Sequence, residues 1–376
     1  MHTAIQNLNF DDLPGWAEDN HLAAFHCFQR SAETFVGKAG PKTRALGVDG
    51  AALGTIMAEA RKLFGKSPDA AAARLFFETH FTPVLFADNV TQADYPGLMT
   101  AYFEPVLEGS LKASDDFPFP LLRRPADLVE IKNIKASTHL PPDWPVDLRF
   151  ARKTPDGLVP YYDRSEIEGT DFSDGALAGQ GLELVWLASR IDSFFIHIQG
   201  SATIRLQQGG TLRVSYDGKS GHDYTAIGKV LKDKGLLAPG NITMQTIRAW
   251  LVANPERQLE ILHRNRSFIF FREEQDLQDG LGPRAAAGVQ LTAGRSLAVD
   301  RIQHTFHTPI YVSYRKDGEA LNRLMIAQDT GSAIVGPHRG DFFAGSGREA
   351  GEIAGSFAAP CRFTVLMPQV QRDWSS

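Results

Sequence analysis

The sequence predicts a mainly β, α+β chain in which a small all-β domain interrupts a larger one. Three observations carry this expectation. Apolar residues recur at helical spacing through the first 80 residues or so. Prolines and short apolar runs crowd residues 106–180, and several short strand patterns follow closely after Ser267. Close-set short strands suggest a barrel. At 376 residues the chain is long enough for two domains. The expected division places 1–105 and 241–376 in one discontinuous domain and 106–240 in the insert.

In chain order, residues 17–36 read as an amphipathic helix carrying Leu22, Phe25, Phe28, Ala32 and Phe35. A second helix follows Asp49, with Leu53, Ile56, Met57, Ala60, Leu63 and Phe64 on one stripe. Ser67-Pro68 has the form of an N-cap with proline in the first turn, opening a helix to about Thr79. These stripes are core, and the helices carry no chemistry. Leu98–Glu104 reads as a strand ended by Pro105. Val185–Ala188 and Ser193–Gln199 read as further strands, and Thr203–Leu206 pairs with Leu212–Tyr216 across a Gly209-Gly210 turn. Helical spacing returns from Tyr224 to Gly235 and again after Thr243, stopping at Asn254-Pro255. The remaining strand patterns are Phe268–Phe271, Ser296–Val299, Ile310–Ser313, Arg323–Ala327 and Phe363–Leu366.

A net charge of −5 argues against nucleic acid as a partner, since phosphate neutralisation needs a basic face. No apolar run reaches the roughly 18 residues of a membrane span. The first residues show neither a basic nor an apolar leader region, which fits a cytoplasmic protein or a chain whose leader has been removed. Two cysteines, Cys27 and Cys361, cannot form a disulfide framework and read as buried small hydrophobes. His304 and His307 lack a third metal ligand, so no metal is expected. Gly345-Ser346-Gly347 has a dinucleotide-like look, but no strand–helix series supports it. It reads as a barrel turn before a short helix, and no cofactor is expected.

What remains is carboxylates. Asp329 and Asp341 bracket a run with Gly331, Gly336 and Gly340, and Asp300 closes an upstream strand pattern. Glycines allow tight bends and close approach to a ligand. General acid catalysis on a glycosidic bond needs a carboxyl kept protonated by burial or by a neighbouring like charge. The pair offers the second cause if the fold brings the two together. Spacing alone favours the plainer reading, in which such aspartates tie down turn backbone.

At these residues the chain resembles the membrane-bound lytic murein transglycosylase A family, whose C-terminal barrel is of the three-aspartate double-psi group. The resemblance rests on Asp300, Thr308-Pro309-Ile310-Tyr311-Val312, Asp329-Thr330-Gly331-Ser332-Ala333-Ile334-Val335-Gly336 and Asp341-Phe342-Phe343. Thr100-Ala101-Tyr102-Phe103-Glu104-Pro105, Gln199-Gly200-Ser201, Ser267–Phe271 and Asp12–Trp16 resemble further motifs of the family in the right order. The resemblance covers nearly the whole chain. Ala101 and Ser332 stand where the family often has glycine, and Val335 where it often has lysine, which removes a cation near the reacting centre.

The resemblance implies a double-psi β-barrel domain with N-terminal helices, an inserted β domain, and a groove that holds a peptidoglycan glycan strand. It implies cleavage between N-acetylmuramic acid and N-acetylglucosamine without water, leaving a 1,6-anhydro end. One acid/base suffices because the sugar's own C6 hydroxyl is the nucleophile, whereas ordinary glycosidases use two carboxylates. The position matching the catalytic aspartate is Asp341; Asp329 is its companion, and Asp300, Gly331 and Gly336 are supporting. Thr100, Tyr102, Gln199 and Ser201 would line the groove, with Tyr102 stacking on a sugar face. A monomer in the periplasm, associated with the outer membrane through an N-terminal lipid signal missing from this chain, follows from the resemblance alone. Two other readings stay open: a hydrolase on the same barrel, with Glu104 as second carboxylate, and a wall-binding module without turnover.

Overall fold

A computed structural model of the chain describes residues 4–63, 68–87, 95–131, 140, 144, 148–238, 240, 242–316 and 319–369. It divides into two compact units, Met1–Phe103 with Leu277–Ser376, and Glu104–Asp276.

The first unit opens with β1 (Ala4–Asn7) and three helices, α1 (His21–Glu33), α2 (Gly50–Lys62) and α3 (Ala70–His80). Each helix begins where an acidic or amide side chain satisfies free backbone N–H groups. Asn20 accepts from Ala23, Asp49 from Ala51 and Ala52, and Asp69 from Ala72. The cap of α3 is therefore Asp69, two residues after the expected Ser67, which with Phe64 lies outside the described residues. The helices bury Phe25, Phe28, Phe76 and Phe77 against Phe81, their rings meeting mostly edge to face. Burying each such ring contributes roughly 1.5–3 kcal/mol.

The strands of this unit are β2 (Phe81–Ala87), β3 (Gly97–Glu104), β13 (Ser296–Val299), β14 (Pro309–Lys316), β15 (Glu319–Asp329), β16 (Arg339–Ser346) and β17 (Ala358–Pro368). Their order is β1-β2-β17-β14-β15-β13-β16-β3, and β17 also pairs with β3. That last pairing closes β17, β14, β15, β13, β16 and β3 into a barrel. Side-chain alternation sorts the two faces. Ile310, Val312, Leu297, Val299 and Phe363 fill one cluster, while Tyr311, Leu324 and Ile326 face the helices. Trp16 seals that helical side, packed edge-on to Tyr311, whose hydroxyl donates to Pro14 O. Gly347 (φ +86°) turns β16 into α9 (Arg348–Ser356), so the glycine-rich stretch is the expected barrel turn.

The second unit holds β4 (Val106–Ser110), β5 (Phe119–Leu122), β6 (Leu128–Glu130), β7 (Phe150–Thr154), β8 (Gly157–Pro160), β9 (Glu183–Leu187), β10 (Ser201–Leu206), β11 (Thr211–Lys219) and β12 (Ile269–Glu273). They form a six-stranded sheet, β12-β11-β10-β4-β9-β5, and a three-stranded one, β6-β7-β8. Helices α4 (Arg164–Glu168), α5 (Arg190–Gln199), α6 (Ile227–Asp233), α7 (Met244–Ala253) and α8 (Gln258–Leu262) complete it.

Two expectations are corrected here. Ser193–Gln199 is helix, not strand: Ser189 caps α5 by accepting from Asp192 N, and Gly200 (φ +81°) ends it. Its apolar residues at 191, 194, 195 and 198 fit a helical face. The aromatic, β-branched run between them made it look like a strand, a known ambiguity of short apolar stretches. Phe268–Phe271 was expected in the barrel, yet β12 pairs with β11, so residues 241–276 group with the second unit. The expected boundary at 240 missed that pairing because some fifty residues, carrying α6, α7 and α8, separate the two strands.

Candidate active site

The barrel strand β13 is the ruler of the site. Ala298 pairs with Asp329 on the parallel strand β15 and with Asp341 on the antiparallel strand β16. Neighbouring strands lie roughly 4.8 Å apart, so the two aspartates are separated by about 10 Å of backbone and share one level. Gly340, just before Asp341, has Phe363 directly over it. A Cβ there would lie 2.5 Å from that ring, so glycine lets β16 pack this close.

From β3, Thr100 and Tyr102 project to the same face two residues apart. Thr100 Oγ1 donates to Asp341 Oδ1 at 2.7 Å, and Tyr102 Oη donates to Asp329 Oδ2 at 2.7 Å. Asp329 Oδ1 accepts from the Ala286 amide at 3.1 Å. Burial pushes the Asp341 carboxyl up to about 6; the Thr100 bond and the Arg339 charge oppose that, and repulsion from Asp329 adds to it. Burial also raises Asp329, against its bonds from Tyr102, Ala286 and Thr330. The sequence reading made the like-charge neighbour the cause of a raised Asp341 pKa. The cause is desolvation first, with Asp329 a lesser contributor, as expected for carboxylates two strands apart.

Asp300 joins neither carboxylate. It is buried, accepting from Ile302 N at 2.9 Å and from Gly336 N at 2.8 Å, and so ties the loop after β13 to the loop after β15. Gly336 (φ +112°) occupies backbone space that other residues avoid, and its N–H makes that bond. Gly331 has an ordinary φ; a Cβ there would crowd Ile334 at 3.3 Å. Tyr102 was expected to stack on a sugar. Its hydroxyl is instead committed to Asp329, its ring lies 5.5 Å from that of Phe343, and burial beside Asp329 keeps the phenol protonated. Gln199 ends α5 and Ser201 begins β10 in the second unit, on either side of Gly200. Glu104 is buried there, and both its oxygens accept from Arg213 Nη2, at 3.1 and 3.0 Å.

His304 Nε2 donates to Pro337 O (2.8 Å), and His307 packs edge-on to Phe35. Burial holds both imidazoles down to about 4. No group of three metal-type ligands occurs among the described residues.

Two contributors escaped the sequence reading. Arg339 lies two residues before Asp341 on β16, and its Nη2 donates to Thr100 Oγ1 at 2.8 Å. Val335, where the family often has lysine, is exposed, and Arg339 supplies a cation to the Asp341 carboxyl instead. The strand period of two would have placed Arg339 and Asp341 on one face. Behind Asp329, the fully buried Gln328 accepts from Ser296 Oγ (2.6 Å) and Cys27 Sγ (3.2 Å). It donates to Ser31 Oγ (2.7 Å) and Cys27 O (3.0 Å), pinning the end of β15 to α1.

Residues 98–272 match the MltA specific insert domain, and residues 295–367 match the 3D domain. The Escherichia coli (strain K12) membrane-bound lytic murein transglycosylase A is 30% identical over 289 residues, 74% of this chain and 67% of the relative. The chain belongs to the membrane-bound lytic murein transglycosylase A family. The Vibrio cholerae enzyme of that name is 35% identical over 192 residues, and that match spans about half of each protein, 49% of this chain and 51% of the relative. The crystal structure of a membrane-bound lytic murein transglycosylase from Agrobacterium tumefaciens superposes with a TM-score of 0.86 at 39% identity. It covers 97% of this chain and 98% of that one. The MltA structure from Neisseria gonorrhoeae gives 0.75 at 30% identity, covering 97% and 92%. The closed barrel of the first unit is thus the double-psi β-barrel of the lytic murein transglycosylase A family. No helix among the described residues is long and apolar enough to cross a membrane.

Proposed function

We propose that the protein is a peptidoglycan lytic transglycosylase in which Asp341 is the single proton carrier. The observation that carries this reading is the state of Asp341. Burial lifts its carboxyl to about 6, one oxygen is held by Thr100, and the other takes no bond from the described residues. An acid poised near the working pH donates and recovers a proton efficiently. Protonated Asp341 gives its proton to the glycosidic oxygen as the bond from C1 of N-acetylmuramic acid breaks. The C6 hydroxyl of that sugar then bonds to C1, and its proton returns to Asp341. No water is consumed, and the aspartate ends as it began.

Asp329, fixed by three donors, keeps the neighbouring wall polar and adds to the rise of the Asp341 pKa. Asp300 holds the two loops beside the carboxylates. Gln199 and Ser201 supply amide and hydroxyl groups suited to sugar hydroxyls and acetamides. A hydrolase would need a second carboxylate free to activate water. Glu104, the candidate named for that role, has both oxygens on Arg213. Action on peptidoglycan fits a periplasmic location, and the relatives named membrane-bound support attachment to a membrane.

The test is digestion of purified sacculi with mass spectrometry of the soluble fragments. Fragments one water lighter than hydrolysis products are expected, and Asp341→Asn should release none while still pelleting with sacculi. Reducing-end products would indicate a hydrolase. Pelleting by the unaltered protein without release would indicate a binding module.

A further inference from the structure

Arg339, Thr100 and Asp341 form a chain of two hydrogen bonds whose direction is fixed while Asp341 is ionised, because a carboxylate only accepts. A guanidinium has donors and no acceptor, and a threonine hydroxyl has one proton and two lone pairs. Arg339 Nη2 donates to Thr100 Oγ1 at 2.8 Å, which occupies a lone pair. The hydroxyl proton is thereby directed to Asp341 Oδ1, 2.7 Å away. With Asp341 ionised, Oδ1 is already engaged by the Thr100 O–H, so a proton arriving at the carboxylate meets Oδ2 as the unoccupied oxygen. Oδ2 takes no bond from the described residues and is not among the atoms sealed without a partner. It is the oxygen that an incoming group can reach.

We propose that Arg339 is a positioning residue that aims the Thr100 hydroxyl at Asp341 Oδ1 and so reserves Oδ2 for the transferable proton. This rests on Asp341 being the acid of the proposed reaction. Arg339 is itself held in place, because its Nη1 donates to the carbonyls of Leu98 and Gly340, on the two strands it joins. Without it the Thr100 hydroxyl is free to rotate, and the proton of Asp341 can sit on either oxygen. Half of those arrangements point the acid away from the leaving group.

The cation also acts directly. Besides Arg339 on β16, the titratable groups facing Asp341 are Asp329 on β15 and Tyr102 on β3. Arg339 in turn faces Cys361 on β17. Asp329 and burial favour the neutral acid, and Arg339 opposes them. Removing its charge should therefore raise the Asp341 midpoint by roughly half to one pH unit.

The experiment compares Arg339→Met, Arg339→Lys, Thr100→Val, the double variant and Asp341→Asn, each checked for folding by circular dichroism. Two readouts are taken: the pH profile of fragment release, and the carboxyl 13C titration of Asp341, its resonance identified by loss in Asp341→Asn. Arg339→Met should release fragments roughly tenfold more slowly at pH 5 and move the titration upward. Arg339→Lys should keep the titration near that of the unaltered protein while losing rate, because an ammonium lacks the fixed fork. At pH 5, where Asp341 stays protonated with or without the cation, the double variant should be no slower than Thr100→Val, since Arg339 positions the acid through that hydroxyl. An unmoved midpoint in Arg339→Met, or losses that multiply in the double variant, overturns the proposal. If Arg339→Met does not fold, rate retention by Arg339→Lys has the same force. Should Asp341→Asn remain active, the assignment of the acid fails instead, and the titration still decides whether Arg339 governs this carboxyl.

Discussion

Asp329 and Asp341 stand opposite one residue, Ala298, on the two flanks of the same barrel strand. This arrangement puts both carboxylates on one face while keeping a strand between them. Their mutual repulsion is therefore modest, and each is perturbed first by its own burial. The tyrosine and threonine that serve them come from one strand, β3, as neighbours on one face.

The first consequence is a pH dependence with a definite sign. In the proposed reaction Asp341 must be protonated to act, and burial pushes its carboxyl up to about 6. Release should be sustained below that pH and fall about tenfold per unit above it. A release rate measured from pH 4.5 to 8 that stays level across pH 6 contradicts this.

Stability should run against activity at the same residue. The folded-state pKa of Asp341 is raised above its ordinary value, so the folded state binds its proton more tightly than the unfolded chain does. No cost arises below about pH 4, where both states are protonated. As pH rises through 6 the folded state must hold a buried anion and loses stability. Asp341→Asn removes that anion, and should melt a few degrees above the unaltered protein at pH 8 but alongside it at pH 4. Equal melting temperatures at pH 8 would contradict the burial argument.

Tyr102 separates two roles that a single ring could have. Its hydroxyl is bonded to Asp329, whereas a stacking role would use the ring face alone. Tyr102→Phe keeps the ring and leaves a buried oxygen of Asp329 one donor short, a loss of roughly 1–3 kcal/mol. Asp329 should then titrate higher, and kcat should fall with KM little changed. Unchanged kcat and KM in Tyr102→Phe would return Tyr102 to the stacking role expected from the sequence, which needs only the ring.

How much of this was legible beforehand depended on the range of the interaction. The barrel strands could be read because Ile310, Tyr311 and Val312 alternate between two cores, a period-two pattern carried in a few residues. Asp341 could be read through its motif, and Arg339 was readable in principle from the same strand period. The shared register on Ala298 was not, because strand pairing over 31 and 43 residues leaves no local mark. Helix α5 misled for the opposite reason: its local composition favours a strand, and tertiary packing against Ile227, Leu231 and Leu262 overrides it.

The second unit offers a test of stability independent of the reacting centre. Arg164 is buried, its Nη1 donating to the buried Glu168, while its Nε and Nη2 donate to the carbonyls of Asn265 and Ser267. Its guanidinium also lies over the rings of Phe194 and Phe268, at 4.8 and 5.2 Å from their centroids. Arg190 approaches the other Glu168 oxygen only at 3.7 Å, and His263 at 3.3 Å. Arg164→Met would leave Glu168 buried with these two weaker partners and two carbonyls without donors. The expected loss is about 3–5 kcal/mol, the usual cost of stranding one member of a buried pair. Replacing both members, as Arg164→Met with Glu168→Leu, removes the stranded charge and should recover part of that loss. Urea unfolding of the single and double variants measures the difference. A double variant less stable than Arg164→Met would mean that packing around Glu168, and not the pairing of charge, holds this region together.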